Sequence, residues 1–166
     1  MLLIDVRIKN YKCILDSETF SIDQLTCLVG KNESGKSAIL QALYKLNPVD
    51  KEDTYDALYE YPKMYQTDFE AGLIEDGDTV VISHWKFTAE EIEALEKQFG
   101  TDFIGDSTVV TISNGYKNKR TWDFDANFHS LFEKKMEEFG FETSDRAQIP
   151  SYDSISEVRA QLKSIS

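Results

Sequence analysis

Cysteine is scarce in this chain, with Cys13 and Cys27 the whole complement. Two thiols give neither a disulfide framework nor the clustered spacing of a zinc site, and they fit a reducing, cytoplasmic setting. Cations are also short. The chain has 18 Lys and Arg against 30 Asp and Glu, a formal net charge of −12 at pH 7. So acidic a chain repels phosphate backbones and is a poor general binder of nucleic acid by itself. Long apolar runs are missing too. Met1-Leu2-Leu3-Ile4 is broken at once by Asp5 and Arg7, which excludes a signal-peptide core, and no stretch reaches the length of a bilayer span. Internal repeats and low-complexity linkers are absent. What is present is 41% hydrophobic and 12% aromatic residues over 166 positions, enough for one folded domain with a real core.

The strongest signal is Gly30-Lys31-Asn32-Glu33-Ser34-Gly35-Lys36-Ser37, which satisfies G-x-x-x-x-G-K-[ST] at every fixed position. Its context predicts strand, loop and helix. Leu25-Thr26-Cys27-Leu28-Val29 reads as a short buried strand, with Cys27 a small core residue. Ser37 to Leu46 reads as a helix with Ile39, Leu40, Leu43 and Leu46 on one face, closed before Pro48. The glycines let successive backbone N–H groups turn inward on phosphate oxygens, and the helix N-terminus adds its positive dipole end. Lys36 is expected to reach the β- and γ-phosphates of ATP, and the Ser37 hydroxyl to coordinate Mg²⁺. The Glu33 carboxylate must turn away from the phosphates.

The rest of the pattern predicts a mixed α/β chain. Leu2, Ile4, Val6 and Ile8 alternate as a half-buried strand, and Ser17 to Ile22 forms a second. Residues 49–77 are irregular, rich in Asp and Tyr. Asp78 to Phe87 is a strand. Thr88 and Glu91 have capping-box spacing ahead of a helix carrying Ile92, Leu95 and Phe99, which stops at Gly100. Ser107 to Ser113 and Tyr116 to Phe124 flank Asn114-Gly115, a strong hairpin signal. Phe128, Leu131, Phe132, Met136 and Phe139 form a helical stripe ended by Gly140. After Pro150 a second stripe, Tyr152 to Ile165 with Ser154 and Glu157 at capping spacing, stops inside its own pattern and looks interrupted. The organisation expected is a phosphate-loop core over 1–48, an antiparallel subdomain over 78–124 and a helical tail over 126–166.

Acidic residues crowd 50–78, where Asp50, Glu52, Asp53, Asp56, Glu60, Asp68, Glu70, Glu75, Asp76 and Asp78 face only Lys51 and Lys63. They read as a solvated face, or as a docking surface for a basic partner. Lys117-Asn118-Lys119-Arg120 reads as a charged hairpin edge. Hydrolysis needs an acidic residue at the end of a buried strand to help hold Mg²⁺. The nearest match, Gly72-Leu73-Ile74-Glu75-Asp76, has too short an apolar run. The nucleotide site is therefore expected to be half built, able to bind and not to turn over.

Val6-Arg7-Ile8-Lys9-Asn10-Tyr11-Lys12, the segment Leu25 to Ser37 and Leu40-Gln41-Ala42-Leu43 together resemble the N-terminus of ABC-type ATPase heads, those of chromosome-maintenance and recombination-repair ATPases. Gly-Lys-Asn-Glu-Ser-Gly-Lys-Ser is especially similar to the overcoming-lysogenisation-defect (OLD) family and related bacterial antiphage AAA-type ATPases. The resemblance is tight over residues 1–47; beyond them it is one of layout only. It implies a P-loop NTPase lobe with a mixed sheet and an antiparallel subdomain, binding Mg-ATP between two protomers and gating DNA binding or an attached nuclease. By position it places Gly30, Lys31, Asn32, Glu33, Ser34, Gly35, Lys36 and Ser37 in the phosphate loop and Asn10 to Lys12, including Asn10 and Lys12, against the nucleotide. Gln66 would be a counterpart of the glutamine that approaches Mg²⁺. The implied partners are a missing C-terminal ATPase lobe or partner chain, a second copy, and DNA in the complete protein, with no membrane. No signature serine-glycine motif, switch histidine or toprim-like motif matches, and His84 and His129 read as a strand and a helix residue. Two other readings stay open: a self-contained small P-loop NTPase or kinase, and a non-catalytic interaction module with a vestigial loop.

Overall fold

A computed structural model describes residues 1–74, 78–138 and 140, apart from the side chain of Asn118. The stripe after Pro150, with Ser154 and Glu157, lies outside the described residues, as do Phe139 and the pair Glu75-Asp76. The chain divides into two compact units. One comprises residues 2–86 and 110–123; the other takes Met1, 87–109 and the described residues from 124 onward.

The first unit holds a sheet of order β2-β1-β3-β4-β5, with β1 at Leu2–Tyr11, β2 at Ile14–Ser21, β3 at Thr79–Lys86, β4 at Val109–Gly115 and β5 at Arg120–Phe124. β1 pairs antiparallel with both neighbours, Val6 opposite Phe20 on β2 and Ser83 on β3. Alternation aims Val6 and Ile8 inward, and both are fully buried with Val80, Val81 and Val110. Each such side chain stabilises the fold by about 1.5–3 kcal/mol. Helix α1, Lys36–Tyr44, buries Ala38 and Ala42 in the core cluster with Ile8, Val80 and Val81; two small residues four apart leave room for close helix–sheet packing.

The region expected to be irregular folds into two short helices, α2 at Ala57–Glu60 and α3 at Gln66–Glu70. Its tyrosines, not any periodicity, decide the packing. Tyr61 stacks on Phe69 with ring centroids 4.2 Å apart, and Tyr116 leans on both at 5.6 and 5.8 Å. Tyr11 and Tyr55 meet edge to face at 6.0 Å.

Two expectations fail locally. Asn114-Gly115 is not the hairpin turn: β4 runs through both residues, and the turn is a short 3-10 segment at Tyr116–Asn118 with Lys117 at φ 60°. Gly115 is extended, and a Cβ there would lie 2.0 Å from the Asp78 carbonyl oxygen. Glycine serves close strand approach here, and the Tyr116 amide donates to that same carbonyl at 2.8 Å. The second failure is the strand at Leu25–Val29. These residues form no strand, Leu25 and Val29 are each 90% exposed, and Cys27 is exposed as well. Gln24 to Val29 make no backbone–backbone hydrogen bond among the described residues. A fully buried strand needs neighbours on both edges, and this segment joins neither β2 nor β5.

The second unit is built on two helices. α4, Ala89–Phe99, opens with the expected capping box between Thr88 and Glu91 and ends at Gly100. α5, Phe128–Glu138, buries Phe132 and Met136. Phe103 meets the tilted Phe99 ring at 4.9 Å and Phe124 edge to face at 6.4 Å.

Candidate functional site

The glycine loop leads into α1 as its residue types dictate. Gly35 sits at φ 90° immediately before the helix, a conformation that L side chains rarely adopt. A Cβ there would also meet the Cys13 Sγ at 3.4 Å, so the β1–β2 turn closes over the loop. The first turn of α1 carries no acidic residue, leaving its amide groups and dipole to an anion. Lys36 folds back along the loop. Its ammonium donates to the carbonyls of Gly30 at 2.8 Å and Lys31 at 2.6 Å and to the Ser34 hydroxyl at 3.4 Å. Neutral carbonyls are weaker acceptors than phosphate oxygens, so an anion can take the ammonium over.

Beside the loop lies an open pocket of about 450 Å³ lined by Lys12, Cys13, Asn32, Glu33, Gly35, Lys36, Ser37, Ala38 and Gln41. Two lysines, Lys12 and Lys36, and one acidic residue, Glu33, are in the lining, so a chain of net charge −12 gathers more basic than acidic residues at this cleft. Helix amides, two lysines and a hydroxyl at the helix start suit a polyphosphate. Of the expected residues, Asn32, Glu33, Gly35, Lys36, Ser37 and Lys12 line this pocket, while Gly30, Lys31 and Ser34 form the loop that holds Lys36. Asn10 lies outside the lining: its Nδ2 donates to the Thr79 carbonyl at 3.5 Å and its own carbonyl accepts from the Tyr116 hydroxyl at 2.6 Å. Gln66 is also outside, bonded to Lys63 and Glu70 on α3. Of the two expected metal ligands, Ser37 is in the lining and Gln66 is not, and the described residues hold no group of three or more His, Cys, Asp and Glu suited to a metal.

Sequence reasoning passed over three participants. Gln41 lies four residues after Ser37, hence on the same helical face, a spacing that points to it. Cys13 follows Lys12 in the two-residue turn between β1 and β2. Glu60, read as part of a solvated acidic face, is 8% exposed. Its carboxylate accepts from Lys45 Nζ at 2.9 and 3.0 Å, from the Tyr11 hydroxyl at 2.8 Å and from the Asp56 amide at 3.0 Å. Burial opposes its charge, but the Asp56 amide, Lys45 and Tyr11 outweigh burial and hold its pKa below the usual carboxylate value. Burial likewise works against the Lys45 charge, and Glu60 and Asp53 overcome it to raise that pKa. Burial pushes the Tyr11, Tyr55 and Tyr116 hydroxyls up, so these remain neutral donors. Nothing in the local pattern marks Glu60, because its partner Lys45 comes from a different element.

A glycine loop opening a helix, with a lysine and a serine at its mouth, defines a P-loop nucleotide-binding site. The chain matches the AAA ATPase domain family over residues 1–164 and belongs to it. A search of the curated proteins returns no match. Among the described residues no helix is long and apolar enough to cross a membrane.

Proposed function

We propose that this chain is the Mg-ATP-binding N-terminal lobe of an OLD-like, ABC-type ATPase head, working in the cytoplasm in antiphage defence or DNA repair. Nucleotide bound at the loop gates a dimer or an attached nuclease. The observation that carries the reading is the exposed apolar segment leading into a complete phosphate loop. Leu25 and Val29 are exposed there, and on α1 Leu40 is 60% and Tyr44 45% exposed. A segment of this composition favours burial between other strands, and a helix apolar on several faces favours cover on more than one. Both are supplied by a second ATPase lobe, from the remainder of a longer protein or from a partner chain. In that assembly Lys36 and Ser37 hold the triphosphate and Mg²⁺, and the second lobe brings the acidic Mg²⁺ ligand and the group that orients water. DNA is engaged by the complete protein, since this acidic chain repels it.

The test is calorimetric titration of Mg-ATP into the chain and into Lys36→Ala, beside an ATP-turnover assay. We expect binding without turnover for the unchanged chain, and at least a tenfold loss, on the order expected for a charged phosphate contact, in Lys36→Ala. The far-UV spectrum should be unchanged, because the lysine's hydrogen bonds are confined to the loop. Equal affinity in Lys36→Ala removes the phosphate-cradle assignment. Brisk turnover means that the chain holds a complete active site and overturns the lobe reading.

A further inference from the structure

Lys12 is held more firmly than a turn lysine at a protein surface needs to be. It sits at φ 54° in the turn that joins Tyr11 to Ile14. Its amide donates to the Glu60 carbonyl at 2.6 Å, which fixes the backbone in that left-handed conformation. Its ammonium donates to Gln41 Oε1 at 2.5 Å, lies 5.3 Å from the centre of the Tyr11 ring and is 3.9 Å from Glu60 Oε1. The side chain nevertheless remains 37% exposed and lines the phosphate pocket. Gln41 stands one helical turn beyond Ser37 and is itself exposed. It lies outside the core cluster, and among the described residues its side chain makes one hydrogen bond, the one to Lys12; its backbone carbonyl accepts from the Lys45 amide at 3.2 Å, a helix-end contact that a change of side chain leaves in place.

We propose that Gln41 is a positioning residue, holding the Lys12 ammonium at the rim of the pocket so that α1 places a second cation beside Lys36. This rests on the pocket binding a polyphosphate. The physical advantage is preorganisation. A free lysine side chain loses rotamer freedom when it meets a phosphate, whereas a lysine already restrained in the pocket loses less, so more of the contact appears as affinity. Gln41 suits this role because its oxygen is neutral: it restrains the ammonium without cancelling the charge that attracts phosphate. A carboxylate there would hold Lys12 more strongly and would repel the ligand.

The test is a double-mutant cycle on the full chain, with Gln41→Met, Lys12→Met and the pair, each titrated with Mg-ATP and with inorganic tripolyphosphate. Methionine keeps the length of glutamine and removes its oxygen. We expect Gln41→Met to weaken both ligands roughly threefold to fivefold, the scale of one ordinary hydrogen bond. In the Lys12→Met background the same change should have no effect, with thermal midpoints unchanged throughout. A purely structural role for Gln41 would persist in that background. Unchanged affinity in Gln41→Met, or an equal loss with and without Lys12, overturns the inference. If the unchanged chain binds neither ligand, the polyphosphate reading falls and the inference with it; if it binds both and the cycle is additive, only the inference falls.

Discussion

Replacing Glu60 with alanine removes the acceptor at the centre of the first unit's one strongly buried ion pair among the described residues. The side chains of Glu60 and Lys45 are 11% and 12% exposed. Breaking a buried pair from one side typically costs about 3–5 kcal/mol, because the remaining charge is left without compensation. Here Lys45 retains the Thr54 carbonyl at 2.7 Å and the Asp53 carboxylate at 3.2 Å, which places the loss at the lower end, near about 3 kcal/mol. For a chain of this size that corresponds to a fall in Tm of about 6–12 °C. Urea unfolding followed by circular dichroism measures it. Glu60→Gln, which keeps an acceptor for Tyr11 and Lys45, should lose less. Glu60→Leu combined with Lys45→Met should be more stable than Glu60→Leu alone, since no charge is then stranded. The pH dependence has a definite sign. Glu60's pKa is lowered by folding, so its contribution is present above the ordinary carboxylate value and disappears as pH falls through the folded value. Lys45's pKa is raised, so its contribution is complete below the ordinary lysine value and disappears as pH rises through the folded one. The pair therefore contributes fully across neutral pH. A loss below about 1 kcal/mol in Glu60→Ala, no larger than one ordinary neutral hydrogen bond, would refute this account of the buried pair.

Gly115→Ala should destabilise the first unit by at least about 2 kcal/mol, because overpacking against backbone is relieved only by moving strands; its Cβ would fall 2.0 Å from the Asp78 oxygen. Equal urea midpoints for the two proteins would show that β4 is free to shift. Asp16 is held down to about 2 by hydrogen bonding to Arg7. Its contribution is therefore present above the ordinary aspartate value and is lost as pH falls through the folded pKa of about 2. NMR titration should find Asp16 near that value and Arg7→Met should return it towards the ordinary 3.8. The stability change will be small because both side chains are substantially exposed.

Some features of this protein are written in local sequence. The phosphate loop needs glycine where φ is positive, a lysine and a hydroxyl at set offsets, and a helix immediately after, so spacing alone locates it. The Thr88–Glu91 box and the stop at Gly100 are equally local, since both ends of each interaction lie within one helical turn. β1 is legible because alternation of apolar residues tracks the pleat, and β3 because its run of Thr79, Val80, Val81 and Ile82 is β-branched and favours a strand. The tertiary structure decided everything that depends on a partner far along the chain. It made Gly115 a contact point with Asp78 in place of a turn, and drew Glu60 into a buried pair with Lys45. It left Leu25, Cys27 and Val29 exposed, because an apolar run becomes a buried strand only when neighbours supply hydrogen bonds on its edges. It also assembled the pocket rim, where Lys12 from a turn and Gln41 from a helix meet 29 positions apart. Local sequence encodes backbone conformation and the motif; which distant side chain completes a charge or covers a face is set only once the chain has packed.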